Sequence, residues 1–359
     1  MSTQFRPGLE HIAAYKPGKS VSAPGGGPSY KLSSNENPFA PLPSVVDRVS
    51  GILSGSIHRY PDIAGTPVVH ALAQRLDVPV EHITLGAGSV EIAGQIVHAL
   101  TAPGDEVVFA WRSFEAYPIL TRVAGAVPVQ VPLDADHGHD LEAMAAAITE
   151  RTRVIFVCNP NNPTGTVVDA RSLEDFLAKV PEHVTVVIDE AYEHFNEAAD
   201  SPDGIDCYRR HPNVAVLRTF SKAYGLAGLR IGYAISHDAL AEHLRKVALP
   251  FGVSALAQEA AVASLEAEEE LNERVETLKS ERARLTAALQ QLDFLEVVPS
   301  QANFVWLPLG EATARAAEAF EAGGVAVRPF PGEGIRISIG TPEANDRVVE
   351  IAKALGAVL

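Results

Sequence analysis

Lys222 lies in the run Arg218-Thr219-Phe220-Ser221-Lys222-Ala223-Tyr224-Gly225-Leu226-Ala227-Gly228-Leu229-Arg230, where one amine is surrounded by small and apolar residues. Burial among such neighbours, with cations nearby, lowers a lysine pKa from about 10.4 and makes the amine a nucleophile. Thr219, Ser221 and Arg230 offer hydroxyls and a guanidinium to a phosphate beside it. The plain alternative is a solvated lysine in a loop.

Three more clusters fall at the ends of short apolar runs. Gly86-Ala87-Gly88-Ser89 stands between a strand pattern and a helix pattern. Small residues there leave N–H groups open at a helix N-terminus, which suits an anion, and Ser89 adds a hydroxyl. A serine N-cap after a tight turn uses the same residues. In Asn159-Pro160-Asn161-Asn162-Pro163-Thr164-Gly165, Asn162 precedes a proline and is held extended, so its amide could be aimed into a cleft. Asn, Pro and Gly also make ordinary turns. In Asp189-Glu190-Ala191-Tyr192 a carboxylate ends an apolar run. A buried carboxylate needs a partner, and a protonated pyridine nitrogen is one. A helix N-cap is its other use.

The elements that must position these clusters alternate. Strand patterns at 82–85, 106–109, 127–131, 153–158, 184–188, 214–217 and 231–234 interleave with helix patterns at 68–76, 90–100, 117–124, 141–149 and 172–179. Continuously apolar strands between helices predict an α/β fold with a mostly parallel sheet covered on both faces and ligands at its strand ends. Past Ser254 the composition shifts to Ala, Leu, Glu and Arg, and 255–291 has the period of one or two long helices. The tail predicts strands at 294–298, 303–307, 325–328 and 335–339, with helices at 312–322 and 342–355. The expected division is an N-terminal arm, 1–45, packing with the C-terminal part, a large domain, 46–253, and a small α/β domain, 254–359. Within the arm, Ala23-Pro24-Gly25-Gly26-Gly27-Pro28 reads as a flexible loop.

The bulk numbers exclude several functions. Of 359 residues, 47% are hydrophobic, which supports a sizeable core. With 29 basic and 45 acidic residues the net charge is −16, which argues against a nucleic-acid partner. A local arginine site for a small anion remains open. Cys158 and Cys207 have no CxxC or zinc spacing, so no metal is expected, and a reduced, cytoplasmic chain is the simple reading. Residues 1–10 lack the apolar core of a signal peptide, and no run of about 18 apolar residues predicts a membrane span.

In chain order, Ser33-Ser34-Asn35-Glu36-Asn37-Pro38-Phe39, His58-Arg59-Tyr60-Pro61-Asp62, Asn161-Asn162-Pro163-Thr164-Gly165, Asp189-Glu190-Ala191-Tyr192, the Lys222 run and Gly334-Ile335-Arg336-Ile337-Ser338 resemble the fold-type I aminotransferases, and within them the histidinol-phosphate aminotransferase group. The likeness implies the aspartate aminotransferase-like fold of transferases that use pyridoxal 5′-phosphate (PLP). It implies that Lys222 holds PLP as a Schiff base and serves as general base. Asp189 would pair with the pyridine N–H, and Tyr192 and Asn162 with the ring hydroxyl. Ala87, Gly88, Ser89, Ser221 and Arg230, with Thr219 nearby, would hold the phosphate. Phe114 would stack on the ring, where the family often has tyrosine. Tyr60 would reach the PLP phosphate of a neighbouring subunit, which implies a homodimer. Arg336 would bind the substrate carboxylate.

The donor is less determined. Arg328 and Tyr15 match groups that grip the substrate phosphate in histidinol-phosphate aminotransferases. However, Trp111-Arg112-Ser113-Phe114-Glu115-Ala116-Tyr117-Pro118 and the 300–310 segment look like the aromatic amino acid aminotransferases of actinobacteria, with Trp111 and Phe114 as an apolar wall. An aromatic donor and 2-oxoglutarate in a ping-pong transamination is the preferred expectation, and histidinol phosphate is the alternative. A decarboxylase or lyase shares the same cofactor residues. A PLP-binding regulator would need a DNA-binding domain, and the first 45 residues leave no room for one.

Overall fold

The computed structural model describes residues 10, 12, 14–20, 28–53 and 55–356. The 23–27 part of the Gly/Pro loop lies outside the described residues. The strands are β1 Tyr30–Lys31, β2 Ile83–Gly86, β3 Glu106–Trp111, β4 Val127–Pro132, β5 Thr152–Cys158, β6 Thr185–Asp189, β7 Val214–Thr219, β8 Gly232–Ile235, β9 Phe304–Leu307, β10 Val325–Ala326, β11 Arg328–Phe330 and β12 Gly334–Ser338. The helices are α1 Pro43–Leu53, α2 Thr66–Leu76, α3 Ser89–Leu100, α4 Ala116–Ala124, α5 Leu141–Ala146, α6 Ala170–Leu177, α7 Gly204–Arg210, α8 Asp238–Val247, α9 Ala255–Glu266, α10 Glu268–Gln290, α11 Thr313–Ala322 and α12 Pro342–Leu355.

Seven strands form one sheet in the order β2-β8-β7-β6-β5-β3-β4. The run from β7 to β4 is parallel, and β8 lies antiparallel to both β7 and β2. Alternation along β5 and β6 divides their side chains between two cores. Val154, Phe156 and Val187 join one with Ile92, Ile96 and Tyr117, while Ile155, Val157, Val186 and Ile188 join another with Leu173 and Phe176. A strand covered on both faces has no polar side, which is why these strands read as unbroken apolar runs. Helix starts are fixed locally: Asp140, Asp169, Asp203, Ser254 and Thr341 each accept a backbone N–H of the first turn, worth about 1 kcal/mol apiece.

A second sheet, β11-β12-β9, is antiparallel, and β1 pairs in parallel with β10. Leu32 N donates to Ala326 O at 2.8 Å and Ser338 N to Leu32 O at 2.9 Å, so 30–32 is bound into the C-terminal part. The helical stretch 255–291 is two helices, broken at Ala267.

Two strand expectations change. The segment 294–298 is not a strand; it touches the sheet only through a single bridge from Val298 to Trp306. A turn in which Leu295 N donates to Leu292 O uses up the residues that would have paired. The expected strand 325–328 is two: β10 pairs with β1, and after Val327 the chain changes partner, so that Arg328 faces Arg336 on β12. Helices α1, α7 and α8 were not foreseen. No helix among the described residues is long and apolar enough to cross a membrane.

Candidate active site

The carboxyl ends of the parallel strands come level with one another. Cys158 is in register with Asp189, Asp189 with Leu217, and Thr219 with Gly232. Beyond them opens a cavity of about 440 Å³, lined by residues from this sheet edge, from 33–35 and from the second sheet. Ligands in such sheets bind there because strand ends and helix N-termini point into it.

Asp189 and Lys222 both line the cavity. Asp189 is 4% exposed. Its Oδ2 accepts the Tyr117 hydroxyl at 2.7 Å, while Oδ1 has no protein partner among the described residues. Burial raises its pKa to about 6, against the pull of the Tyr117 hydroxyl, the Ala191 N–H and Lys222. An unpartnered buried carboxylate oxygen costs about 1–3 kcal/mol or more, and a cationic N–H in the cavity would remove that cost. Lys222 keeps some exposure to the cavity, and its Nζ donates to Ser34 O and Asn35 O, each at 3.3 Å. Burial lowers its pKa to about 7, helped next by Arg336 and then by Arg230, with Glu36 and Asp189 opposing. The pair therefore combines a free amine near neutral pH with a carboxyl open to a positive partner.

Tyr192, Asn162 and Arg336 form the side towards the second sheet. Asn35 Nδ2 donates to the Tyr192 hydroxyl at 2.9 Å, and Asn35 is itself fixed by Ser338 and Asn303. Arg336, 7% exposed, donates to Asn162 Oδ1 and to Ser33 O, and its Nε has no partner among the described residues. Asn162 is held by its loop: Ser113 Oγ donates to Asn161 Oδ1 at 2.7 Å, and Asn161 Nδ2 donates to Arg112 O and Thr164 Oγ1. That same knot fastens the residue before Phe114, whose ring meets Tyr117 edge-on at 5.5 Å.

Ser89, Thr219, Ser221 and Arg230 gather at the opposite end. Arg230 Nη1 reaches Ser221 Oγ at 3.4 Å and Nη2 reaches Ala87 O at 3.2 Å. A Cβ on Gly88, which has φ +87°, would stand 2.4 Å from this guanidinium, and one on Gly232 would stand 2.5 Å from Ser89 N. Two glycines thus let an arginine and a helix start close on one point, a cradle for a dianion. Ala87 stands behind it rather than in it, since its N–H is taken by Glu91 and its carbonyl by Arg230. Together with the orphan oxygen of Asp189 and the enclosed amine, this donor set fits PLP.

Not every expected residue lines the cavity. Trp111 is not among the cavity-lining residues; its ring packs on Phe109, with Arg112 4.3 Å above it. Val90, Ile119 and Leu120 join Phe114 in the apolar wall instead. Tyr60, expected to reach the site of a neighbouring subunit, is 82% exposed, stacked on Phe251 at 4.6 Å, and outside this cavity. Tyr15 and Arg328 do line the mouth. Arg328, however, is paired with Glu115 at 2.6 Å. Sequence reasoning passed over Glu115, Tyr117 and Asn35. The place of Tyr117 three positions after Phe114, across one turn in which Tyr117 N donates to Phe114 O, was the available signal.

The model of the family described as aminotransferase class I and II matches residues 28–351. An aromatic amino acid aminotransferase of Streptomyces coelicolor is 56% identical over 352 residues, covering 98% of this chain and 97% of its own. That of Mycobacteroides abscessus is 51% identical, covering 99% of each. A histidinol-phosphate aminotransferase of Sinorhizobium meliloti, solved with pyridoxal-5′-phosphate, superposes with a TM-score of 0.88 at 28% identity over 99% of each chain. The aspartate aminotransferase of Thermus thermophilus, solved with maleate, gives 0.81 at 26% identity over 92% of each. The fold is aspartate aminotransferase-like, and the chain belongs to the class I and II aminotransferases.

Proposed function

We propose that this chain is a PLP-dependent aromatic amino acid aminotransferase that passes the amino group to 2-oxoglutarate by a ping-pong route. The observation that carries the reading is the meeting of Lys222, with a pKa of about 7, and Asp189 Oδ1, unpartnered among the described residues, in one cavity with an apolar wall. The relatives named for aromatic amino acids support the donor. So does the ion pair on Arg328, because a guanidinium already neutralised by Glu115 is a poor seat for a substrate phosphate.

When bound, PLP supplies a conjugated ring that accepts the electron pair left on the substrate α-carbon. Asp189 Oδ1 would hold the ring nitrogen, Tyr192 and Asn162 the ring hydroxyl, Phe114 the ring face, and Ser89, Ser221 and Arg230, with Thr219 beside them, the phosphate. Lys222 Nζ takes the α-proton and holds it until it is returned. Arg336 orients the substrate carboxylate through its open Nε. Ile119 and Leu120 keep water from the side-chain end of the donor. Tyr60, exposed and clear of this cavity, is offered to a second copy of the chain, as in a homodimer.

The test is kcat/KM for phenylalanine, tyrosine and histidinol phosphate with 2-oxoglutarate. The aromatic donors are expected to lead by at least about tenfold. A lead for histidinol phosphate of that size would replace the donor assignment.

A further inference from the structure

An ion pair stands at the Arg328 side of the cavity. Glu115 stands at the N-terminal edge of α4, next to Phe114, and its Oε2 accepts Arg328 Nη2 at 2.6 Å. The Arg328 side chain is 13% exposed and that of Glu115 is 30% exposed. Arg328 Nη1 leans on Pro17 O at 3.4 Å, and its Cζ lies 5.7 Å from the Phe330 ring. Arg328 lines the cavity with Tyr15, Phe114 and Arg336, whereas Glu115 stands behind it. The charges of Arg328 and Glu115 both reach Arg336, which places all three in one electrostatic neighbourhood. Arg112, three residues earlier, is likewise held, by Glu333.

We infer that Glu115 is a specificity-determining residue that acts through Arg328: while the pair holds, the site accepts donors whose distal end is neutral and disfavours those whose distal end is a phosphate or phosphonate. The inference rests on the aminotransferase reading and deepens it. A dianion placed at Arg328 must either displace a carboxylate 2.6 Å from the guanidinium or sit beside it. Both cost Coulomb energy in a partly buried site. A phenyl or phenol ring brings no charge and lies against Phe114, Ile119 and Leu120 with the pair intact. Discrimination thus comes from a carboxylate of the protein that occupies the anion's place, in addition to any attraction for the ring. Gln at position 115 keeps the hydrogen bond and the shape while leaving Arg328 with its full charge.

The experiment compares the PLP-loaded wild type with Glu115→Gln and Glu115→Asp. Calorimetry measures two carboxylate probes, 3-phenylpropanoate, with a neutral distal end, and 3-phosphonopropanoate, with an anionic one. Glu115→Gln is expected to bind the phosphonate about tenfold tighter or more while the phenyl probe changes by less than about threefold, and Glu115→Asp is expected to return the ratio to wild type. Kinetics should follow, with kcat/KM for histidinol phosphate rising against phenylalanine in Glu115→Gln. If both probes weaken equally, the pair is only a clasp between α4 and β11, and the inference falls. An unchanged ratio also overturns it. A wild type that fails to turn over phenylalanine would sink the donor assignment alone, since the probe ratio still judges Glu115.

Discussion

At the floor of the cavity Asp189 is buried with one oxygen unpartnered among the described residues, and the amine of Lys222 donates to two backbone carbonyls. At the mouth the charge is already spent, since Arg328 is paired with Glu115. The floor comes from neighbouring strand ends of one sheet, with Asp189 and Leu217 in direct register. The mouth is assembled from the arm, the start of α4 and the second sheet, so that Pro17 and Arg328 meet across 311 positions. The contrast teaches a division of labour. Groups left unsatisfied by the protein wait for the cofactor and serve every donor alike. Groups satisfied by each other choose among donors, because a ligand must compete with a contact that exists.

The comparison breaks first at the floor. Lys222→Ala is expected to lower kcat by about four orders of magnitude for all donors alike and to abolish the absorbance of lysine-linked cofactor. A donor-dependent loss would place Lys222 with the mouth. The apoprotein offers a sharper reading of the same amine. Its lowered pKa makes Lys222 cationic below about 7 and free above it. Labelling by an amine-directed reagent, followed by peptide mass spectrometry, should rise through pH 7 and level off by about pH 9, where an ordinary lysine with a pKa near 10.4 is still mostly protonated. Between floor and mouth, Arg336→Ala should cut kcat/KM for 2-oxoglutarate by about a hundredfold, mostly through KM, as steady-state kinetics would report. The smallest effect belongs to a residue one contact removed from the cavity. Tyr117→Phe takes one hydrogen bond from Asp189 and leaves a buried oxygen without it, so cofactor titration of the apoprotein should show about a tenfold loss of affinity.

The floor was legible in the sequence because parallel sheets gather their functional residues at strand ends, and each such end carries a compact local run. Lys222, Asp189 and Asn162 each sit within a few residues of the strand that aims them. The mostly parallel sheet followed from unbroken apolar runs, whereas the antiparallel turn of β8 left no mark in its four residues. The mouth was poorly legible because its contacts have no local signature. Nothing beside Glu115 shows that β11 will bring Arg328 to it. Trp111 looked like a wall residue by its type, but its position at the end of β3 turns its ring onto Phe109 and beneath Arg112. Phe294, Leu295 and Val297 have the apolar content of a strand, yet a turn takes the residues that would have paired.

The pairing of β1 with β10 has a consequence in time. Tyr30 leaves the ribosome well before its strand partner Val325. At about 5–20 residues per second the interval between them is on the order of tens of seconds. The seven-strand sheet is fully synthesised once Ile235 has emerged, yet Ser34 and Asn35, which supply the carbonyls on Lys222, have no strand to lie beside until the tail is made. Closure of the roof over the amine is therefore scheduled by translation itself, and a ribosome that stops short of Val325 leaves the nascent chain with an open, unfinished pocket.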